Sequence, residues 1–272
     1  MSETPAVVIP VFNAAEELRR CLAAVRATVA DDVPVVVIDD ASSDPAVGET
    51  LNELTAGWHV IRQPENRGFV ATANRGMGEV GDRDVVLLNS DTIPAGDWLG
   101  RLVACAESDP SIASITPFTN NGEIASLPEF CRPSPVPDDP EAWAIACRRA
   151  GPPQYPEIPT AVGFCMYMRR ACIERIGGFD EQAFGRGYGE ENDWCMRAAA
   201  DGWRHVLCDD AFVAHQGGAS FGPLGLRPGD EAMRALLARH PGYLELVQGF
   251  IRRDPLAPIR QRIGAHITPD HA

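Results

Sequence analysis

Val33-Pro34-Val35-Val36-Val37-Ile38-Asp39-Asp40-Ala41-Ser42-Ser43-Asp44 is an apolar run that stops abruptly at carboxylates and hydroxyls. So short and β-branched a run predicts a strand over 33–38, buried on both faces. Pro45 to Thr55 continues it as a helix. On the amino-terminal side, Val7-Val8-Ile9 is a second apolar run, ending at Pro10-Val11-Phe12-Asn13. Between the two, Glu16 to Thr28 carries Leu18, Cys21, Leu22 and Val25 at helical spacing. On the other side come a strand at Trp58 to Ile61, a short helix at Val70 to Gly76 and a strand at Asp84 to Leu88. The last strand runs into Asn89-Ser90-Asp91. Buried runs separated by helices predict an α/β domain with a mainly parallel sheet and helices on both faces. Ligands of such sheets bind beyond the carboxyl ends of the strands, where the polar clusters fall.

The chain has 272 residues, 45% hydrophobic and 23% charged, the composition of a globular protein with a substantial core. A formal charge of −14 argues against broad attachment to nucleic acid. It leaves room for a local basic pocket that takes a small phosphate ligand. The eight cysteines form no C-x-x-C pair, so neither a zinc ribbon nor a redox motif is expected. Cys165 and Cys208 lie in apolar runs, which points to buried reduced thiols and a cytoplasmic location. The amino terminus lacks a signal-peptide pattern, and no apolar run approaches the ~20 residues that span a bilayer. Membrane association is then expected only as a peripheral contact.

Past residue 127 the pattern changes. Pro128 to Pro159 is rich in proline, with a helix expected at Glu141 to Arg149, and reads as a long surface excursion. Thr160 to Met168 predicts a strand and Ala171 to Ile176 a helix. Gly177-Gly178-Phe179-Asp180 leads to a Gly-rich loop and a helix from Glu190. Helices near Glu231 to Arg239 and Leu244 to Ile251 close the chain.

Four segments in order, Val7 to Asn13, Val36 to Asp44, Val86-Leu87-Leu88-Asn89-Ser90-Asp91 and Gly189-Glu190-Glu191-Asn192-Asp193-Trp194, together resemble the family-2 glycosyltransferases. The resemblance runs from about residue 6 to about residue 222. It implies a GT-A-like single domain. Residues 1–118 would bind the nucleotide sugar, 119–222 would shape the acceptor and catalytic part, and 223–272 would be a helical extension. It also implies inverting transfer of a sugar from a nucleoside diphosphate donor to a glycan or other hydroxyl acceptor, as in bacterial cell-surface polysaccharide synthesis, with Mn²⁺ or Mg²⁺ as cofactor.

On that resemblance, Pro10, Val11, Phe12 and Asn13 flank the nucleoside, and Asp39 and Asp40 accept its hydrogen bonds. Capping of the next helix is the alternative for Asp40, Ser42 and Ser43, and it explains Ser43 or Asp44. Asn66, Arg67, Gly68 and Asn74 line the donor pocket, Gly68 by close backbone approach at a helix start that favours phosphate. For Arg67, solvation is an equal alternative. Asn89, Ser90 and Asp91 stand where the family has Asp-x-Asp; with Asn89 in place of the first acid, Asp91 is the acidic metal ligand carried over. His215, before Gln216-Gly217-Gly218-Ala219-Ser220, is a second metal ligand or a structural histidine.

An inverting displacement needs a base to take the acceptor proton. Glu191 aligns with the family's base and Asp193 supports it, while Glu190 and Trp194 face the acceptor. Helical spacing puts Glu190 and Asp193 on one face and Glu191 elsewhere with Trp194. All three acids would also favour a helix amino end. Trp203 is expected in the core. Two other readings are a sugar nucleotidyltransferase, which lacks its basic Gly-rich loop here, and a non-catalytic sugar-nucleotide-binding module suggested by Asn89.

Overall fold

The computed structural model describes residues 4–185, 187–217 and 230–267. Its first part alternates strand and helix: β1 (Ala6–Val11), α1 (Ala15–Thr28), β2 (Val35–Asp39), α2 (Pro45–Leu54), β3 (His59–Arg62), α3 (Phe69–Glu79) and β4 (Val85–Leu88). Then come β5 (Thr92–Pro94), α4 (Trp98–Ser108), β6 (Ile112–Phe118), a 3₁₀ turn (Glu123–Ala125), α5 (Pro140–Arg149) and β7 (Cys165–Met168). The chain continues through α6 (Arg170–Ile176), α7 (Glu181–Phe184), α8 (Glu190–Ala200), β8 (Arg204–His215), α9 (Asp230–Arg239), α10 (Tyr243–Arg253) and α11 (Ala257–Gly264).

The strands form one sheet in the order β3-β2-β1-β4-β7-β6-β8-β5. From β3 to β4 every pairing is parallel, as the alternating pattern predicts. The second half is mixed. β7 runs against both β4 and β6, β6 is parallel to β8, and β8 is antiparallel to β5. Period-2 alternation divides the core. Val7, Ile9, Val35 and Val37 pack with Leu18, Leu22 and Val47 on one face. Val8, Val36, Ile38 and Leu87 pack with Val70, Ala73 and Met77 on the other.

β5, α4 and β6 go beyond the elements expected from the sequence, although Trp98, Leu99, Leu102, Cys105 and Ala106 form a buried helical stripe. The strand expected over 160–168 is regular only from Cys165. Upstream, side chains hold the backbone instead of a ladder: Ala161 N–H donates to Cys195 Sγ and Val162 N–H to Thr116 Oγ1. α9 to α11 dock on the domain, Leu236 and Tyr243 in the core beside α8, Ile259 and Ile263 in a cluster with Trp143 and Phe250.

α3 approaches β1 so closely that a Cβ on Gly76 would lie 2.3 Å from Val8 Cγ1. Val8 is fully buried and β-branched, so that methyl cannot swing away. Replacing a mid-helix glycine with alanine ordinarily gains up to about 1 kcal/mol. Here the overpacking reverses the sign. Gly76→Ala is expected to cost about 1–3 kcal/mol in denaturant unfolding, and a stabilised variant would show that the close approach is not maintained.

Candidate functional site

The loops after β1 and β2 are stapled together at the carboxyl edge of the sheet. Asn13 and Ala14 have left-handed φ angles of 54° and 55°. In that turn Asn13 Oδ1 accepts from the N–H groups of Ser43 (2.9 Å) and Asp44 (3.1 Å), and Asn13 N–H donates to Ser42 Oγ. Asp44 caps α2 through Ala46 N–H. Pro10 and Val11 are buried in β1, paired in register with Ile38 and Asp39, while Phe12 is half-buried. Asp39 Oδ1 accepts from Ser42 N–H at 2.9 Å. Its Oδ2 lies 3.2 Å from Arg62 Nε but is buried with no hydrogen-bond partner among the described residues, so it retains accepting capacity.

Asp40 differs from the expectation that it contacts the nucleoside. Its carboxylate accepts from Gln63 Nε2 (2.8 Å), Arg67 N–H (2.7 Å) and Gly68 N–H (2.8 Å). It therefore fixes the loop that enters α3. Asn66 donates to the Asp40 carbonyl, Arg67 is half exposed and 3.6 Å from Glu181, and Gly68 starts α3 with φ 87°. Asn74 is a second correction. It exchanges hydrogen bonds with both backbone groups of Phe179 and donates to Glu181, which makes it a buttress between α3 and the loop before α7 rather than a donor-pocket residue.

Asn89-Ser90-Asp91 forms the turn from β4 to β5. Ser90 is buried. Asn89 N–H donates to the Phe164 carbonyl, and Asn89 Oδ1 is buried without a partner among the described residues. The pairing of β5 with β8 places Thr92 opposite His215 and leaves His215 Nε2 3.4 Å from Asp91 Oδ1. His215 Nδ1 lies 2.6 Å from the Asn121 carbonyl. A carbonyl only accepts, so Nδ1 carries the proton and the Nε2 edge turns toward Asp91. The ring stacks on Phe164 at 5.2 Å, and its backbone N–H donates to Asn120 Oδ1. Burial opposes protonation of His215, but the hydrogen bond and charge of Asp91 outweigh it and raise its pKa. No group of three or more His, Cys, Asp or Glu able to hold a metal occurs among the described residues. An imidazole edge and a carboxylate oxygen side by side still fit a hard divalent cation whose other positions are taken by water and phosphate oxygens. Gly218, Ala219 and Ser220, expected in the following loop, lie outside the described residues.

Asn89 and His215 line a cavity of about 320 Å³ together with Asn121, Phe164, Glu190 and Glu191. The two glutamates open α8, after Tyr188 and Gly189 at φ 72° and 100°. Burial, then the charge of Glu191, pushes the Glu190 carboxyl well above the ordinary range, and burial also raises Glu191. The sequence expectation separated these two and paired Glu190 with Asp193. As the first residues of the helix, both instead ring its open amino end. Asp193 is fully buried away from the cavity. It accepts from Arg197 Nε (2.8 Å), His240 Nε2 (2.9 Å) and Arg239 (3.3 Å), which ties α8 to the end of α9. Trp194 is fully buried too, and its indole N–H donates to the Gly177 carbonyl, so it does not stack on an acceptor. Trp203 is partly buried against the core, as expected. Asn121, Phe164 and Tyr188 were missed, although Thr119-Asn120-Asn121-Gly122 is another polar turn after a buried strand.

The profile of glycosyl transferase family 2 matches residues 6–177. The pre-mycofactocin glycosyltransferase of Mycobacterium tuberculosis is 30% identical over 215 residues, 77% of this chain and 42% of that protein. The chain thus spans less than half the length of that relative. The N-acetylglucosaminyl-diphospho-decaprenol L-rhamnosyltransferase of the same organism is 23% identical over 246 residues, 82% of this chain and 79% of the relative. Among solved structures, GalNAc-T7 with UDP, GalNAc and Mn²⁺ superposes with a TM-score of 0.62 at 17% identity, over 97% of this chain and 54% of that one. At that identity the superposition establishes a shared fold.

The Asp193 clamp has a measurable consequence. Burial would raise the Asp193 pKa, but the Arg197 and His240 hydrogen bonds prevail and lower it. A lowered folded-state pKa stabilises at pH values above the unfolded carboxylate value and is lost as pH falls through the folded value. Asp193→Ala is expected to cost about 2–3 kcal/mol at pH 7, less than for a fully enclosed pair because Arg239 is partly exposed. Urea titrations should show that difference shrinking below about pH 4. A difference independent of pH would remove the clamp from the explanation.

Proposed function

The chain belongs to glycosyl transferase family 2, and from that premise we propose that it transfers a sugar from a nucleoside diphosphate donor to an acceptor hydroxyl with inversion. Asp91 and His215 hold a divalent cation, Mn²⁺ or Mg²⁺, and Glu191 is the base. The supporting observation is convergence: His215, whose Nε2 lies 3.4 Å from Asp91, lines one cavity with the glutamates that open α8. Residues 1–118 take the nucleotide, with Asp39 Oδ2 as the acceptor for a nucleobase N–H or ribose hydroxyl, and residues 119–222 shape the acceptor side.

The cation supplies charge neutralisation for the departing diphosphate. The rest falls to the chain. Glu191 takes the proton of the acceptor hydroxyl as that oxygen bonds to the anomeric carbon. The bond from that carbon to the diphosphate oxygen breaks on the opposite face, and its electron pair leaves with the nucleotide. Asn121 and Phe164 hold His215 by a hydrogen bond and a stack, so its Nε2 edge is oriented before any ligand arrives.

The name of the mycobacterial L-rhamnosyltransferase, which acts on N-acetylglucosaminyl-diphospho-decaprenol, supports a setting in bacterial glycan assembly, with a glycan or other hydroxyl-bearing acceptor. Seven of the eight free thiols are buried and Cys131 is partly exposed, which fits a reducing, cytoplasmic compartment. Among the described residues no helix is long and apolar enough to cross a membrane.

Two experiments test the assignment. Glu191→Gln keeps shape but cannot take the proton, so transfer should slow by about 10²–10⁴-fold, or roughly 3–5 kcal/mol, with donor binding intact. Near-normal transfer by this variant would refute Glu191 as base. Calorimetry with UDP and GDP should show Mn²⁺-dependent binding that Asp91→Ala weakens and that chelation abolishes. His215→Ala should raise the Mn²⁺ concentration needed for half-maximal binding. An unmoved Mn²⁺ titration with a lowered melting temperature would make His215 structural.

A further inference from the structure

Glu190 and Glu191 differ in how their carboxyl groups are supplied with donors. Glu191 is approached by the backbone N–H groups of Gly189 and Glu191 at the free amino end of α8 and by the Glu190 carboxyl. Its Oε1 also accepts from Asn192 Nδ2 at 3.2 Å. Glu190 is 5% exposed and is approached by its own backbone N–H, but its Oε2 is buried with no hydrogen-bond partner among the described residues. An ionised carboxylate with one oxygen left dry is costly, whereas the neutral acid tolerates that position. Two adjacent carboxyl groups in one desolvated site cannot both ionise cheaply, and the charge settles on the one with more donors. The pair therefore titrates as a unit.

The groups around the pair do not alter that order. Glu123 of the 3₁₀ turn, its own carboxyl raised by burial, and Asp91 add no positive charge, and Tyr188, Tyr243 and Cys195 are neutral acids whose pKa values are raised, first of all by burial. Among the described residues lining the cavity, His215 is the group able to carry positive charge, and it faces Asp91.

We propose that Glu190 is a positioning residue: it stays neutral, donates its carboxyl O–H to Glu191, and so keeps Glu191 ionised and aimed at the acceptor hydroxyl. This rests on the reading of Glu191 as base and explains how a base in so desolvated a place remains ready near neutral pH. Without the Glu190 proton, burial would push Glu191 further toward its protonated, inert form.

The test needs no substrate for its first readout. Protein labelled at the glutamate δ-carbon is titrated by ¹³C NMR for the wild type, E190Q, E190L and E191Q. One carboxyl should remain protonated at pH 7 in the wild type and vanish from E190Q. The signal missing from E191Q should titrate about one pH unit or more higher in E190L than in the wild type. E190Q, whose amide still donates, should restore the lower midpoint. The second readout is nucleoside diphosphate release from whichever UDP-, GDP- or dTDP-sugar most raises the melting temperature. Its acid limb should shift upward in E190L and return in E190Q. The inference is overturned if the carboxyl protonated at pH 7 belongs to Glu191, or if E190L leaves the Glu191 midpoint and acid limb unmoved. Undiminished turnover in E191Q would instead overturn the base assignment, and the role of Glu190 with it.

Discussion

Parallel pairing of β1 with its two neighbours, β2 and β4, is the constraint on which the site depends. Register fixed by the buried face leaves little freedom, because a one-residue slip would turn Val7 and Ile9 from one core to the other. With Val8 opposite Val36 and Leu87, the carboxyl ends of the three strands finish together. Asn13, Asp39 and Asn89 thus share one edge without any side-chain interaction having to bring them there. The second constraint is the antiparallel pairing of β5 with β8, which delivers His215 to Asp91 across more than 120 residues of chain.

Within that frame the carboxylates divide by how completely the chain itself satisfies them. Asp40 and Asp193 each accept three hydrogen bonds from protein donors, and their work is internal: one shapes a loop, the other anchors a helix. Asp39 and Glu190 each keep a buried oxygen without a hydrogen-bond partner among the described residues, Asp39 at the sheet edge and Glu190, with the equally unpartnered Asn89 Oδ1, at the cavity. Incomplete satisfaction in a buried place is costly. That contrast sorts the binding and chemical groups from the structural ones better than residue type does.

The same contrast explains what could be read from the sequence. The α/β pattern, the first four strands and the edge that carries the polar clusters follow from short-range periodicity, and the model bears them out. Asp40 and Asn74 were assigned to the ligand because their partners, Gly68 and Phe179, are distant in sequence and include backbone groups that leave no signature. Trp194 and Asp193 were placed by counting around a helix whose first turn is open, so the residues at its mouth, Glu190 and Glu191, reach the cavity together. β5 is three residues long and was not foreseen, and with it went the pairing that gives His215 its neighbour. The motif resemblance still named His215, which periodicity alone would have passed over.

The stereochemistry of transfer tests the central claim most directly. A single base acting in one displacement inverts the anomeric carbon, so proton NMR of the freshly formed product should show the configuration opposite to that of the donor sugar. Retention of the donor configuration would contradict the mechanism built on Glu191, whatever the affinity of the site for nucleotide and metal.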